Sequence, residues 1–437
     1  MVPLLLLGGF QLLRWHAMGP AQREALRWMQ PLPPREGENA FKWLALANYQ
    51  VSPGQVDAAM AEEISHFQDW NRRMELAAVS TRRPDFRPYP FAAKEKYGAR
   101  PPPAYGALEC MRDVNASCLD TVRGKVGPVR ALLEQEAGRL EMMDRALSAD
   151  HLSNLFPRSA PVDSLQFNGM GLVTLRAALA GADGRVGESL ELACRQMATL
   201  RRFRADTDVA TAHFGLTVNI QRAGKLVLDL RRAHPAQPLP PACTEALRPV
   251  EAEDYILCNA MRDRNALFEH YYQLAARMYP SKPRIDRWLH EWFGIYEPLR
   301  KAWHAQQFSA YCGQAAVDDM EAGRTPANRD LITPGQLACY AAPASCHEQS
   351  RRQIPEQEAL RALDAYASLR LLLAAHRLAE GGQTPHEAWL ALRLPGYPVA
   401  EDADGKRWSI AQRALDGQQF EVDISGLGDT ANAGASR

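Results

Sequence analysis

LVTLRAALAGADGRVGESLELACRQMATLRRFRADTD, residues 172–208, carries two apolar stripes separated by a polar break. Leu172, Leu175 and Leu179, with Leu165 before them, mark one face; GADG at 181–184 then interrupts the pattern. Val186, Leu190, Ala193, Met197 and Leu200 follow in steps of four and three. After a second break at RADTD (204–208), Leu216, Ile220, Ala223, Val227 and Leu230 repeat those steps. Steps of three and four keep side chains on one face of a helix with ~3.6 residues per turn. Breaks this short leave consecutive helices no course but to double back on each other. The spacing therefore predicts stacked antiparallel helices across 162–232 and an all-α fold class. No fixed period runs through the chain, so the stack is solenoid-like rather than a repeat array.

Working outward, helical periodicity dominates. ENAFKWLALANYQ (38–50) and 54–77 are amphipathic, with Ser52-Pro53 as a start signal between them. A single long run is expected from 119 to 147, on Leu132, Leu133, Leu140 and Met143. Further helices are expected over 252–279, 284–304 and 356–380. In 284–304, Trp288, Trp292, Tyr296 and Trp303 share one face, a stripe that reads as core. Near the end, RWSIAQRALDGQQFEVDI (407–424) turns to short alternating segments around Asp416-Gly417, which predicts a small C-terminal β hairpin. The expected organisation is a leader or anchor at 1–21, an N-terminal helical region at 22–150, a central helical domain at 151–322, a C-terminal region at 323–425 and a disordered tail at 426–437.

Eight cysteines, an even number with close pairs, point to disulfides and an oxidising compartment. Cys110 and Cys118 flank a loop containing Asn115; Cys339 and Cys346 flank one containing Pro343. Turn-forming residues let each short loop bring its sulfurs together. Cys243 and Cys258 open two successive helical patterns and are expected to staple a helix hairpin. Cys194 and Cys312 are left to pair or to stay buried thiols. The C-x2–4-C ligand spacing of zinc sites and the C-x-x-C of thiol oxidoreductases do not occur. Val2–Leu13, a 12-residue run dominated by apolar side chains, is too short for a comfortable span and fits a secretory signal, with Gly19-Pro20-Ala21 at cleavage spacing. The expected address is the periplasm, with a possible tether to the inner membrane through this segment.

Residues 80–105 stand apart, with six prolines and six Lys/Arg against two acids. Arg82, Arg83, Phe86, Arg87, Tyr89, Phe91 and Tyr97 make this stretch a candidate binding loop; the competing reading is a proline-rich strap packed across the helices. Zero formal net charge gives no overall pull toward nucleic acid. Of the 51 basic residues only eight are lysine, and so strong an arginine bias reads mainly as compositional. Phosphate-binding loops, nucleophile elbows and H-E-x-x-H pairs are absent from the sequence. His66, His213 and His270 lie in helical runs with no paired ligand four residues on. No catalytic, cofactor-binding or metal-binding residue is assigned, and no cofactor is expected.

ENAFKWLALAN, the 172–208 stretch, LPPACTEALRPVEAEDYILCNAMRD and the closing GKRWSIAQRALDGQQFEVDI together resemble a family of proteobacterial exported helical proteins of unknown function. The resemblance implies the fold class and the compartment, and no reaction. The functional expectation is an exported protein that binds a partner protein, such as an immunity or adaptor protein for a secreted effector. The alternative is a periplasmic hydrolase, for which a deep pocket with converging histidine and carboxylate groups would be the sign.

Overall fold

A computed structural model describes residues 20–81, 87–106, 108–160, 162, 165, 167–278, 296–326, 353–381, 384–425 and 427. The helices that build the body are α1 (Pro20–Trp28), α2 (Ala40–Leu46), α3 (Val56–Thr81), α4 (Cys118–Arg123), α5 (Val126–Gln135), α6 (Ala137–Ser148), α7 (Met170–Ala182), α8 (Val186–Asp206), α9 (Ala212–Ala233), α10 (Ala242–Ala246), α11 (Cys258–Met278), α12 (Tyr296–Ser309), α13 (Gly313–Glu321), α14 (Gln353–Glu380) and α15 (Pro385–Leu392). The chain is all-α apart from a small antiparallel sheet near its C-terminus.

The stripes of 172–232 become α7, α8 and α9, which pack against one another, while α14 lies along α9. Leu190, Met197, Leu200, Leu216, Ile220 and Leu230 are all buried there. Two glycines set how closely these helices approach. A Cβ on Gly181 would stand 2.8 Å from Leu230, and one on Gly224 would run into Leu372 of α14. The run over 119–147 is not one helix but three, a correction with a local cause. Gly124 closes α4, and Glu136 leaves helical geometry between α5 and α6. Starts follow side-chain caps: Asn39 accepts from Phe41 N, Ser117 from Asp120 N, and Thr384 forms a capping box with Glu387.

The hairpin is present as β2 (Arg407–Ala411) and β3 (Gln419–Asp423), joined through Asp416 and Gly417, both at positive φ. A third strand, β1 (Val399–Glu401), adds to the outer edge of β2, giving the order β1-β2-β3. Trp408, Ile410, Phe420 and Val422 face inward, as a two-residue period requires. Buried Asp364 of α14 ties the sheet down. It accepts from Tyr397 Oη at 2.5 Å, Arg413 N at 2.9 Å and Ala414 N at 2.7 Å.

Residues 87–105 run as a strap over α3. Tyr89 is 2% exposed, stacks edge-on against Phe67 at 5.3 Å and donates its hydroxyl to Glu63 at 2.8 Å. Glu63 is itself buried and also accepts from the backbone of Ala92 and Ala93. Phe91 packs edge-on against Phe156. Arg139 clamps the far end through Pro101 O at 2.7 Å. Tyr89→Phe is expected to cost about 1.5 kcal/mol, because it removes one hydrogen bond from a buried carboxylate. Urea unfolding of the two proteins measures the difference.

Three disulfides close Cys110–Cys118, Cys194–Cys243 and Cys258–Cys312. They belong to an oxidising, extracellular-type environment. The first follows the expectation. Cys243 and Cys258 do not bond each other: Cys243 reaches back to α8, and Cys258 reaches forward to the N-cap of α13. Cys194 and Cys312, left unassigned by spacing, are their partners. Cys339 and Cys346, the apolar leader run and the Trp288–Trp292 stripe lie outside the described residues. Among the described residues no helix is long and apolar enough to cross a membrane.

Candidate functional site

Stretches of chain far apart in sequence surround a cavity of about 600 Å³. Its walls are the Cys110–Cys118 loop, the end of α8 with the start of α9, the first half of α14, and the turn between β2 and β3. The volume lies within the ~300–1,000 Å³ range of small-molecule sites. The disulfide holds the first wall by closing the loop that presents Arg112, Asp113 and Asn115. Asn115 then joins this loop to β3: its amide donates to Gln419 O and accepts from Glu421 N, both at 2.9 Å. Lys225 reinforces the joint by donating to Asn115 O at 2.7 Å and Glu421 O at 3.0 Å. Burial of this ammonium brings its pKa down to about 8.

The floor comes from α9. His213, Thr217 and Gln221 recur every fourth residue, with Phe214, Val218 and Arg222 beside them, on the side away from the Leu216–Ile220–Ala223 stripe. Arg204 of α8 meets this row. It is 1% exposed, lies over the ring of Tyr255 at 4.1 Å, and donates to Thr217 Oγ1 at 3.3 Å and His213 Nδ1 at 3.2 Å. Burial lowers its pKa to about 10. A guanidinium only donates, so His213 Nδ1 must accept and the ring proton sits on Nε2. Burial first, and the Arg204 charge second, push the His213 pKa well below its ordinary value. Its Nε2 is buried with no hydrogen-bond partner among the described residues, as is Nε2 of Gln221.

Charge in the cavity is lopsided in availability rather than in number. Asp364 is taken up by Tyr397 and two backbone amides. Glu358 is paired with Arg264, and Asp113 accepts from Asn115 N. Against these stand Arg112, Arg204, Arg222 and Arg361, none of which makes an ion pair among the described residues. Arg222 gives its donors to the carbonyls of Cys110 and Met111, at 3.1 and 2.7 Å. Arg361 stands 5.9 Å over the ring of Phe214, which is 52% exposed at the mouth.

Few of the residues singled out from sequence contribute here. Cys110 and Cys118 brace one wall. Of the candidate loop, Tyr89 and Phe91 are turned into the core, Tyr97 is half-buried, Arg87 is exposed, and Arg82, Arg83 and Phe86 lie outside the described residues. At Tyr89, which is buried against Phe67, the competing strap reading applies, while Phe91 is half-buried beside Phe156. His270 pairs with Glu75 at 3.0 Å and does not line the cavity. His213 belongs to the site, through a partner nine residues before it rather than four after. The signal that could have found it was the polar row His213-x3-Thr217-x3-Gln221. No family model, curated protein or solved structure matches the chain, so the family resemblance rests on its own residues alone.

Proposed function

We propose that this chain is an exported binding protein for a small organic anion, working in the periplasm and holding its ligand in the cavity beneath Phe214. The observation that carries this reading is a buried guanidinium, Arg204, beside a half-buried one, Arg222, neither with a carboxylate partner among the described residues. A buried charge without a counter-ion is costly, and a carboxylate or phosphate ligand would supply one. The unpartnered Nε2 groups of His213 and Gln221 are two more donors for the same ligand. Phe214 and Arg361 offer a face for a planar part of it.

The hydrolase alternative is less well supported. With Nδ1 committed to Arg204, His213 is a neutral donor and poorly suited to act as a base. The partner-protein reading loses the ring of Tyr89 in its candidate loop to the core.

The test is calorimetry on the full chain with a panel of small carboxylates, phosphate esters and their neutral analogues. One anionic class is expected to bind, and a ligand at ~100 times its Kd adds about 2.7 kcal/mol of stability. Arg361→Ala, at an exposed position, is expected to weaken binding about tenfold. Equal binding of neutral analogues, or an Arg361→Ala protein that binds as before, would sink the reading.

A further inference from the structure

A second cavity of about 360 Å³ lies on the other side of the 204–211 segment, between the Pro31–Pro34 stretch, the turn at 151–158 and α11. Its centre is a charge triad. Arg158 pairs with Asp208 through Nη2 and meets Asp263 through Nε at 2.5 Å. Two carboxylates thus share one guanidinium. Around it the charges of the lining balance: Arg35 is matched by Asp206 at 3.3 Å, and Arg262, the third cation, spends donors on Trp28 O and Asn259 Oδ1 rather than on the two carboxylates of the triad.

The triad also leaves polar atoms unused. Arg158 Nη1 has no hydrogen-bond partner among the described residues, and Asp263 Oδ1, though close to Arg158, accepts no hydrogen bond. His151, 6% exposed, places Nδ1 at 3.1 Å from Ser153 Oγ and leaves Nε2 without a partner. A buried carboxylate oxygen that accepts no hydrogen bond calls for a donor, and an ammonium group supplies one with matching charge. A spare guanidinium N–H calls for an anion, and His151 Nε2 adds a second donor to it in the tautomer whose Nδ1 accepts from Ser153 Oγ. Beside them Leu32, Leu155 and Ala266 offer an apolar wall. Both charges and an apolar group close together describe one class of small molecule.

We propose that this cavity binds a free α-amino acid with an apolar side chain. Its ammonium group sits on Asp263 and Asp208, its carboxylate on Arg158 Nη1 and His151 Nε2, and its side chain against Leu32 and Leu155. The site shares no residue with the anion cleft and does not depend on that reading.

Calorimetry on the full chain with leucine, 4-methylpentanoate and 3-methylbutylamine tests it, since the last two each lack one charge. Leucine is expected to bind, and each truncated analogue to bind at least about tenfold more weakly, the fold-change of one lost charge-assisted contact. Ala266→Trp, which fills the cavity, is expected to abolish leucine binding, while Arg361→Ala in the other cleft leaves it unchanged. Failure of leucine, methionine and phenylalanine all to bind would overturn the proposal. So would analogues that bind the Arg361→Ala protein, whose anion cleft is weakened, as tightly as leucine does. If Ala266→Trp fails to fold, the ligand series on the unmodified protein still decides.

Discussion

Replacing Cys194 and Cys243 together by alanine is expected to cost about 4 kcal/mol, seen as a lower denaturant midpoint with an altered slope. The bond spans 49 residues, so its loss returns a large amount of loop-closure entropy to the unfolded chain. Within the fold it ties α8, which supplies Arg204, to α10. Both sulfurs are fully buried, so alanine also leaves small voids. The same substitution at Cys110 and Cys118, only eight residues apart, closes a much smaller loop and is expected to cost less. That second pair carries a different burden, because its loop is a wall of the anion cleft. Its removal is expected to weaken ligand binding more than it lowers the midpoint. A Cys194/Cys243 double variant as stable as the parent protein would contradict the argument.

What the sequence made legible is whatever depends on near neighbours. α7, α8 and α9 follow from apolar steps of three and four, because each helix has one face to bury. The β2–β3 hairpin follows from alternation around Asp416-Gly417, where a left-handed turn suits those two residues. Cys110–Cys118 follows from its short span. The rest depends on contacts made by folding back over long distances. Cys194 and Cys243 lie 49 residues apart, and Cys243 has Cys258 far nearer in sequence, so nothing local marks the true partners. Sequence left 80–105 open between a binding loop and a packed strap, because the rings of Phe67 and Phe156 that cover Tyr89 and Phe91 lie outside it. The arginine excess looked compositional, yet several arginines act as clamps on main-chain carbonyls. Arg201 alone donates to Ala246, Arg248 and Pro249, and Arg139 to Ala47 and Pro101. A guanidinium can serve several acceptors at once, which a lysine in the same place could not match. The cleft itself joins Asn115 to Glu421 across 306 residues, beyond the reach of any periodicity.

Acid is expected to loosen the seam between α9 and α14, and His376 is the group that senses it. The ring is 1% exposed, with Nε2 at 3.1 Å from Gly224 O and Nδ1 at 3.4 Å from Arg231 Nη1. Arg231 can only donate, so Nδ1 accepts, Nε2–H gives to Gly224 O, and the imidazole is neutral. Burial chiefly, and the Arg231 charge next, lower its pKa to about 3, while the bond to Gly224 pulls weakly the other way. In the unfolded chain the ordinary value of ~6.5 returns. Between those two values the unfolded state therefore holds the extra proton. Stability from this group is fully present above ~6.5 and is lost as pH falls toward ~3. The loss reaches about 3 kcal/mol near pH 4. His213, also pushed down by burial, adds to it in the same direction. Gly224 makes the seam unforgiving, because its missing Cβ is what lets Leu372 close against α9. His376→Gln keeps a donor for Gly224 O but cannot titrate. That variant is expected to lose about 3 kcal/mol less than the parent protein between about pH 7.5 and pH 4, measured by urea unfolding at each pH. Parallel pH dependences for the two proteins would show that the imidazole is not the sensor.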